Sequence, residues 1–478
     1  MKRAGGSALA LALLSQLAQS AAGVVGFLIV ARIFGPIVFA DYVFGIAVAG
    51  IFGCFTQNAL REPVILSQEH GREFFHFASF VISSASALIC GVAGFALQIY
   101  LPGRHVGHIV IALAVKAFID GFVVVPYAVR ARERDFLLPA VASISASLGS
   151  IALLFILVKY GATILSLPIA QALGSLVALC VYAVVDREAL LLRPGALKHP
   201  IPAYVKNWFR ISLWQLIEYA NSMFDRLYSG RTMPQVDQGM YGFSRRLNDL
   251  FFEVLGGTVA SLSLPLLASA ATDRGALRLK YFELLQVVGV VLLGAIGALY
   301  CLSGRLLVDV FGSKWVGAVP LYRIFLLLGV IQAYGYLQAS LIRGVGNNAL
   351  WTRYVTAQAI SNVIVVVAFA SYGAFVLSAL VVAKTYLIWM VHIKSVAKII
   401  ECSVAEYLKI LVKPLAVVML PVLSCELLHW KLPASSNLMF YFSTSTLYVI
   451  CWCMSVMLIC PQTMVFVRKL FGRRHAIQ

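Results

Sequence analysis

Between Phe209 and Glu253 two apolar segments carry Glu218, Asp225, Arg226, Arg245, Arg246, Asp249 and Glu253. Helical neighbours lie three and four positions apart, so Gln215, Glu218, Ser222 and Asp225 share one face, and Arg245, Asn248 and Asp249 share another. Two further positions stand out in apolar surroundings. Lys116 and Asp120 lie four apart, and Lys384 has no acidic neighbour in its own segment. Guanidinium groups grip phosphate oxygens in a bidentate fork, and buried carboxylates can take up protons. Two readings of these residues stay open. In one they neutralise each other, Asp225 with Arg245 or Arg246, Asp249 with Arg245, and Lys116 with Asp120, and so pin helices together. In the other, some of them face a water-filled cavity and contact a charged substrate or a coupling ion. Arg323 reads as an interface anchor.

The elements that must position these groups follow from composition. The 478-residue chain is 61% hydrophobic and 12% charged, with a mean hydropathy of +0.89. A soluble domain has about 45–50% apolar and about 25% charged residues, so the sequence describes an all-α polytopic membrane protein. A spanning helix needs about 20 apolar residues. Fourteen stretches qualify, roughly 8–31, 37–60, 77–100, 108–129, 138–158, 164–185, 209–231, 241–265, 283–303, 320–342, 350–370, 374–394, 412–430 and 439–460. The first is too long for a signal-peptide core of roughly 7–15 residues and reads as a transmembrane helix.

Lysine and arginine placement orients the array. Of 38 such residues, 25 lie in one set of connections, seven in the alternate set and six within spans. The positive-inside rule then puts both termini in the cytoplasm. The net charge of +18 is spread over these loops, which fits anionic membrane lipids and speaks against a nucleic-acid partner. Glu218, Asp249, Lys116 and Lys384 fall near mid-depth, with Glu218 about 13 Å along the helix from Phe209. The Asp225-Arg226 and Arg245-Arg246 pairs fall toward the outer leaflet.

The chain also repeats itself. Tyr160-Gly161-Ala162-Thr163-Ile164-Leu165-Ser166 returns as Tyr372-Gly373-Ala374-Phe375-Val376-Leu377-Ser378, each copy a tight outer turn. The spans ending at Arg130 and Arg343 keep nearly the same offset. Two six-helix lobes in parallel repeat follow. Residues 1–185 form the first, 186–208 a basic, Pro-containing cytoplasmic linker, and 209–394 the second. Residues 395–478 add two helices and a basic tail.

Other chemistries find no support. No Gly-x-x-x-x-Gly-Lys-Ser/Thr phosphate loop occurs, and Gly344-Val345-Gly346 lacks the strand context and last glycine of a dinucleotide motif. The nine cysteines show no paired Cys-x-x-Cys and no ordered histidines, so they read as small apolar packing residues without a disulfide frame, metal or cofactor. No connection is long enough for a catalytic domain, so the sequence does not read as an enzyme.

With these residues in view, a resemblance can be named. Ala31-Arg32-Ile33-Phe34-Gly35-Pro36 followed by Ala40-Asp41-Tyr42 resembles the opening motif of Wzx-type polysaccharide flippases, within the multidrug/oligosaccharidyl-lipid/polysaccharide exporter superfamily. Asp225, Arg226, Gly230, Gly239, Tyr241, Arg246 and Leu247 match that family's central motif. Ala40 stands where the family usually has Gly, and Ser244 replaces a common Ala. The resemblance implies translocation of an undecaprenyl-diphosphate-linked oligosaccharide across the bacterial inner membrane, for O-antigen, capsule or exopolysaccharide assembly. It implies a basic cavity between rocking lobes, with polysaccharide polymerase and chain-length machinery as partners. The alternatives are a lipid II flippase, a cation-coupled multidrug exporter of the same superfamily, and, from another class, a membrane-embedded polymerase or glycosyltransferase. Such polymerases normally carry a long outer loop, which this chain lacks.

Overall fold

The computed structural model describes residues 4–66, 72–133, 135–161, 163–185, 201–431 and 437–461. Lys2, Arg3, most of the linker 186–208 and the basic tail with Arg468, Lys469, Arg473 and Arg474 lie outside the described residues.

Fifteen α-helices follow one another: α1 (Ala4–Ile33), α2 (Pro36–Gly53), α3 (Gln57–Leu66), α4 (Arg72–Tyr100), α5 (Val106–Arg132), α6 (Leu137–Gly161), α7 (Ser166–Val185), α8 (Ile201–Thr232), α9 (Gln235–Ala268), α10 (Arg274–Phe311), α11 (Ala318–Gly344), α12 (Asn348–Phe369), α13 (Ala374–Ile399), α14 (Val404–Lys431) and α15 (Asn437–Ile459). No strand occurs among the described residues. Thirteen of these helices are long and apolar enough to cross a membrane. This is a multi-pass membrane protein, because a helix satisfies its backbone internally where lipid cannot.

Two differences from the span list have physical causes. The expected seventh span lies within α8, which is helical over all its 32 residues. Its cluster of Glu218, Asp225 and Arg226 keeps it out of the set that length and composition alone select. The second expected span stops early. Helix α2 ends at Gly53, the chain turns through Cys54–Thr56, and the Thr56 hydroxyl donates to the Gly53 carbonyl at 3.3 Å. The polar Gln57 then opens the short helix α3.

Packing gathers the chain into two compact units. One comprises residues up to Phe243 with Asn362–Gly373, and the other comprises Ser244–Ser361 and the residues from Ala374 onward. In the first, α2 lies against α5 and α8, α4 against α5, and α6 against α1 and α7. In the second, α10 lies against α11, α14 and α15, and α11 against α13. The glycine at each repeated turn has a positive φ, +134° at Gly161 and +95° at Gly373, a conformation that favours a residue without Cβ. Helices α5 and α11 each have 27 residues, and their starts, Val106 and Ala318, stand 212 positions apart. That spacing matches the offset between the two Tyr-Gly turns.

Candidate functional site

In the first unit, α5 holds one charged pair at mid-helix. Lys116 Nζ donates to Asp120 Oδ2 at 2.5 Å, and each side chain remains 28% exposed. Helix α8 has two faces. On one, Tyr219 donates its hydroxyl to the Ala47 carbonyl of α2 at 2.7 Å. The other exposes Glu218 and Ser222. Hydrocarbon penalises a charged side chain by about 2.5–3.5 kcal/mol even on the lenient insertion scale. Accessible ionisable groups within such a helix are therefore candidates for lining a water-filled passage.

Asp225 and Arg226, about two turns beyond Glu218 on α8, are buried, at 1% and 3% exposure. The Asp225 carboxylate accepts the Tyr241 hydroxyl at 2.6 Å and the Arg226 backbone N–H at 2.9 Å. Within its own unit the Asp225 carboxylate is thus held by Tyr241. A phenol on the next helix satisfies a buried carboxylate without bringing in a second buried charge.

In the second unit, the α9 charges divide by exposure. Arg245 is nearly buried and faces Asp249 at 3.5 Å, the expected pairing one turn on. Its guanidinium carbon also lies 5.4 Å from the centre of the Phe325 ring. Arg246 pairs with Glu253 at 2.6 Å, and these side chains are 31% and 53% exposed. Beside them Asn248 donates to Gln332 Oε1 at 3.0 Å. Lys384 of α13 donates to the Gln358 side-chain oxygen at 3.1 Å and to the Gln358 carbonyl at 3.3 Å. Gln358 in turn donates to the Tyr354 hydroxyl at 3.2 Å, and the Tyr354 ring stacks on His392 with centroids 4.0 Å apart. Arg323 is more than an anchor at a membrane boundary. It donates to Ser303 at 3.0 Å, lies 3.5 Å from Glu426 and covers the Tyr300 ring, so it ties α11 to α10 and α14.

Sequence reasoning missed a polar cluster in the first unit. Arg104, in the turn between α4 and α5, donates from Nε to Asp41 Oδ1 at 2.7 Å, from Nη1 to the Gly230 carbonyl at 3.0 Å and from Nη2 to Gln238 Oε1 at 3.1 Å. The second Asp41 oxygen accepts the His105 backbone N–H at 2.8 Å, and Gln235 adds a 3.4 Å contact to Oδ1. Asp41 was visible as an acid inside an apolar run and as part of the opening motif. Its partner lies 63 residues away, beyond the reach of a helical-spacing argument. Close to this cluster a Cβ on Gly239 would run into the Pro36 carbonyl, so the two motif segments meet backbone to backbone.

A sequence model described as "Polysaccharide biosynthesis protein" matches residues 29–320. The "Lipopolysaccharide biosynthesis protein WzxC" of Escherichia coli (strain K12) is 25% identical over 156 residues, 32% of this chain and 31% of that protein. The matched stretch thus spans about a third of that relative. Among solved structures, "Lipid II flippase MurJ, inward closed conformation" superposes with a TM-score of 0.71 at 14% identity, covering 97% of this chain and 99% of that one. An inward-facing multidrug resistance MATE family transporter of the MOP superfamily gives 0.60 at 14% identity, covering 80% and 96%. At such identities the likeness is one of fold.

Proposed function

The chain belongs to the polysaccharide biosynthesis protein family, and from that premise we propose that it is a flippase carrying a lipid-linked oligosaccharide across the bacterial inner membrane by alternating access. The observation that supports this most is the set of accessible charges within apolar helices: Lys116, Asp120 and Glu218 in one unit, Arg246 and Glu253 in the other. A membrane helix displays such groups where a polar cargo passes. Among the candidates Lys116, Arg245, Arg246 and Lys384 are cationic, which suits a diphosphate, and Arg246 is the accessible guanidinium that can supply a fork. Asp120, Glu218 and Asp249 are the candidates for proton or ion coupling. Asp225 and Arg226 have a structural role in this reading. Both termini are cytoplasmic, the cargo is an undecaprenyl-diphosphate-linked repeat unit of O-antigen, capsule or exopolysaccharide, and a polymerase receives it on the far side.

Deletion of the gene tests the assignment. The expected result is loss of one surface polysaccharide, with its lipid-linked repeat unit accumulating inside the cell. Normal polymer together with altered drug sensitivity would contradict it and favour a multidrug exporter. A second reading, a lipid II flippase, draws support from the whole-chain likeness to MurJ. Rescue of cells depleted of their lipid II flippase would establish that reading instead.

A further inference from the structure

The internal repeat and the packing divide the chain differently, and the difference falls on the α8–α9 hairpin. By the repeat offset, this hairpin opens the second copy. By packing, α8 and the first turns of α9 up to Phe243 belong with α1–α7. Apolar packing of Phe243 against Phe27 and Phe39 holds the base of this segment, and a charged contact holds its tip. Arg104 bonds at once to Asp41 of α2, to the Gly230 carbonyl near the end of α8 and to Gln238 in the first turn of α9.

From this arrangement we propose that Asp41 and Arg104 form a reversible latch on the α8–α9 tip, closed in this structure and released once per transport cycle. Its timing rests on the flippase reading; its geometry does not. Three features fit a contact that opens. First, every group in it is polar, so water satisfies each one once the tip moves away. A permanent joint gains little from a buried ion pair, because apolar residues of similar volume often serve stability as well or better. Second, the surfaces around the latch are smooth. Gly239 lies on the Pro36 backbone, Gly242 on Val43, and Gly230 on Phe44. The glycines bring no side chain of their own to these contacts. Third, the opposite end of α8 is held by other means. Tyr204 sits in an apolar cluster with Phe74 and Phe75, and the Trp208 indole donates to the Phe55 carbonyl at 2.8 Å.

The test reads opening directly. Ser229 is fully buried beside the latch. In an S229C variant, a membrane-impermeant maleimide added outside the cell should react slowly. Adding Arg104→Ala removes all three guanidinium contacts and should speed labelling at least about tenfold, the size expected from one charge-assisted hydrogen bond alone. If that variant fails to accumulate, Arg104→Lys keeps the charge, loses the fork and should give a smaller rise. Unchanged labelling in a latch variant that accumulates normally would overturn the proposal.

A second arm locks the contact. A Cβ built on Gly242 lies 3.2 Å from Val43 Cβ, close to the roughly 3.5–4.5 Å that a disulfide spans. Oxidised V43C/G242C protein should stop exporting polymer, while the same double variant kept reduced stays active. Export that continues through the cross-link would mark the contact as a permanent joint and overturn the latch. Labelling needs no substrate, so that arm stays readable even if the flippase assignment fails.

Discussion

Tyr241 donates its hydroxyl to the buried Asp225 carboxylate at 2.6 Å, joining α8 to α9 with a hydrogen bond to a charged acceptor. The central motif is therefore a structural fastening over part of its length. Such a bond contributes about 1.5–3 kcal/mol, and removing one partner leaves the other unsatisfied in a dry site. Asp225→Ala should lower the amount of folded protein in membranes several-fold, with Tyr241→Phe producing a milder loss. Immunoblots of membranes and melting curves in detergent check this. Wild-type levels and melting for both variants would remove the fastening role.

Arg246 should behave in the opposite way. Its pair with Glu253 is accessible, and exposed ion pairs contribute about 0–1 kcal/mol. Arg246→Ala is expected to leave protein level near wild type and to abolish polymer export. The two measurements are membrane protein level and surface polysaccharide from the same cells. If Arg246→Ala and Asp225→Ala lose protein equally, both residues are structural and the substrate role of Arg246 fails.

Lys384 allows a sharper separation of charge from packing. Its ammonium is held by Gln358 on α12. Lys384→Met combined with Gln358→Leu keeps an apolar stem, removes the charge and replaces both partners by apolar groups, which can be nearly neutral for stability. The double variant should accumulate at wild-type level while export falls at least about tenfold, roughly the consequence of one lost charged contact. Full export by the double variant would assign this lysine to packing alone.

Gly239 predicts a steric effect. A Cβ there meets the Pro36 carbonyl, whereas one at Gly335 of α11 meets nothing within 4 Å. Overpacking costs about 1–3 kcal/mol, while Gly→Ala inside a helix gains about 1 kcal/mol when space allows. Gly239→Ala should lower the melting temperature and Gly335→Ala should hold or raise it. The reverse order would contradict the backbone-to-backbone approach of the two motif segments.

The array of helices was legible because spanning lengths of apolar residues leave few other folds. Even the charged α8 was recognisable as a helix from the regular spacing of Gln215, Glu218, Ser222 and Asp225. The Tyr-Gly turns were legible because a left-handed glycine tends to follow a helix end, and Gly161 and Gly373 both have positive φ. Local pairs were equally accessible, as Lys116–Asp120 and Arg245–Asp249 follow from four-residue spacing. What the sequence hid was partnership across long separations and between unlike chemistries. Spacing offered Asp225 only charged partners, and the folded chain adds a phenol, Tyr241, as a hydrogen-bond donor to it. Lys384 lacked an acid in its helix, yet an amide on α12 receives it. Asp41 and Arg104 were each visible alone, and only the folded chain brings them together. The short α3 was hidden because Gly53 to Thr56 interrupts an apolar run without a proline or a cluster of charge.

The most direct test of the central claim is flipping by the purified protein. A polyprenyl-diphosphate oligosaccharide is placed in proteoliposomes, and a membrane-impermeant glycosidase or lectin added outside reports how much substrate becomes accessible over time. The account predicts that the wild-type chain exposes substrate from the inner leaflet, and that Arg246→Ala protein, reconstituted in equal amount, leaves it protected as in empty vesicles. Equal rates for wild-type protein, the variant and empty vesicles would contradict the flippase assignment, and equal fast rates for the two proteins would contradict the role given to Arg246.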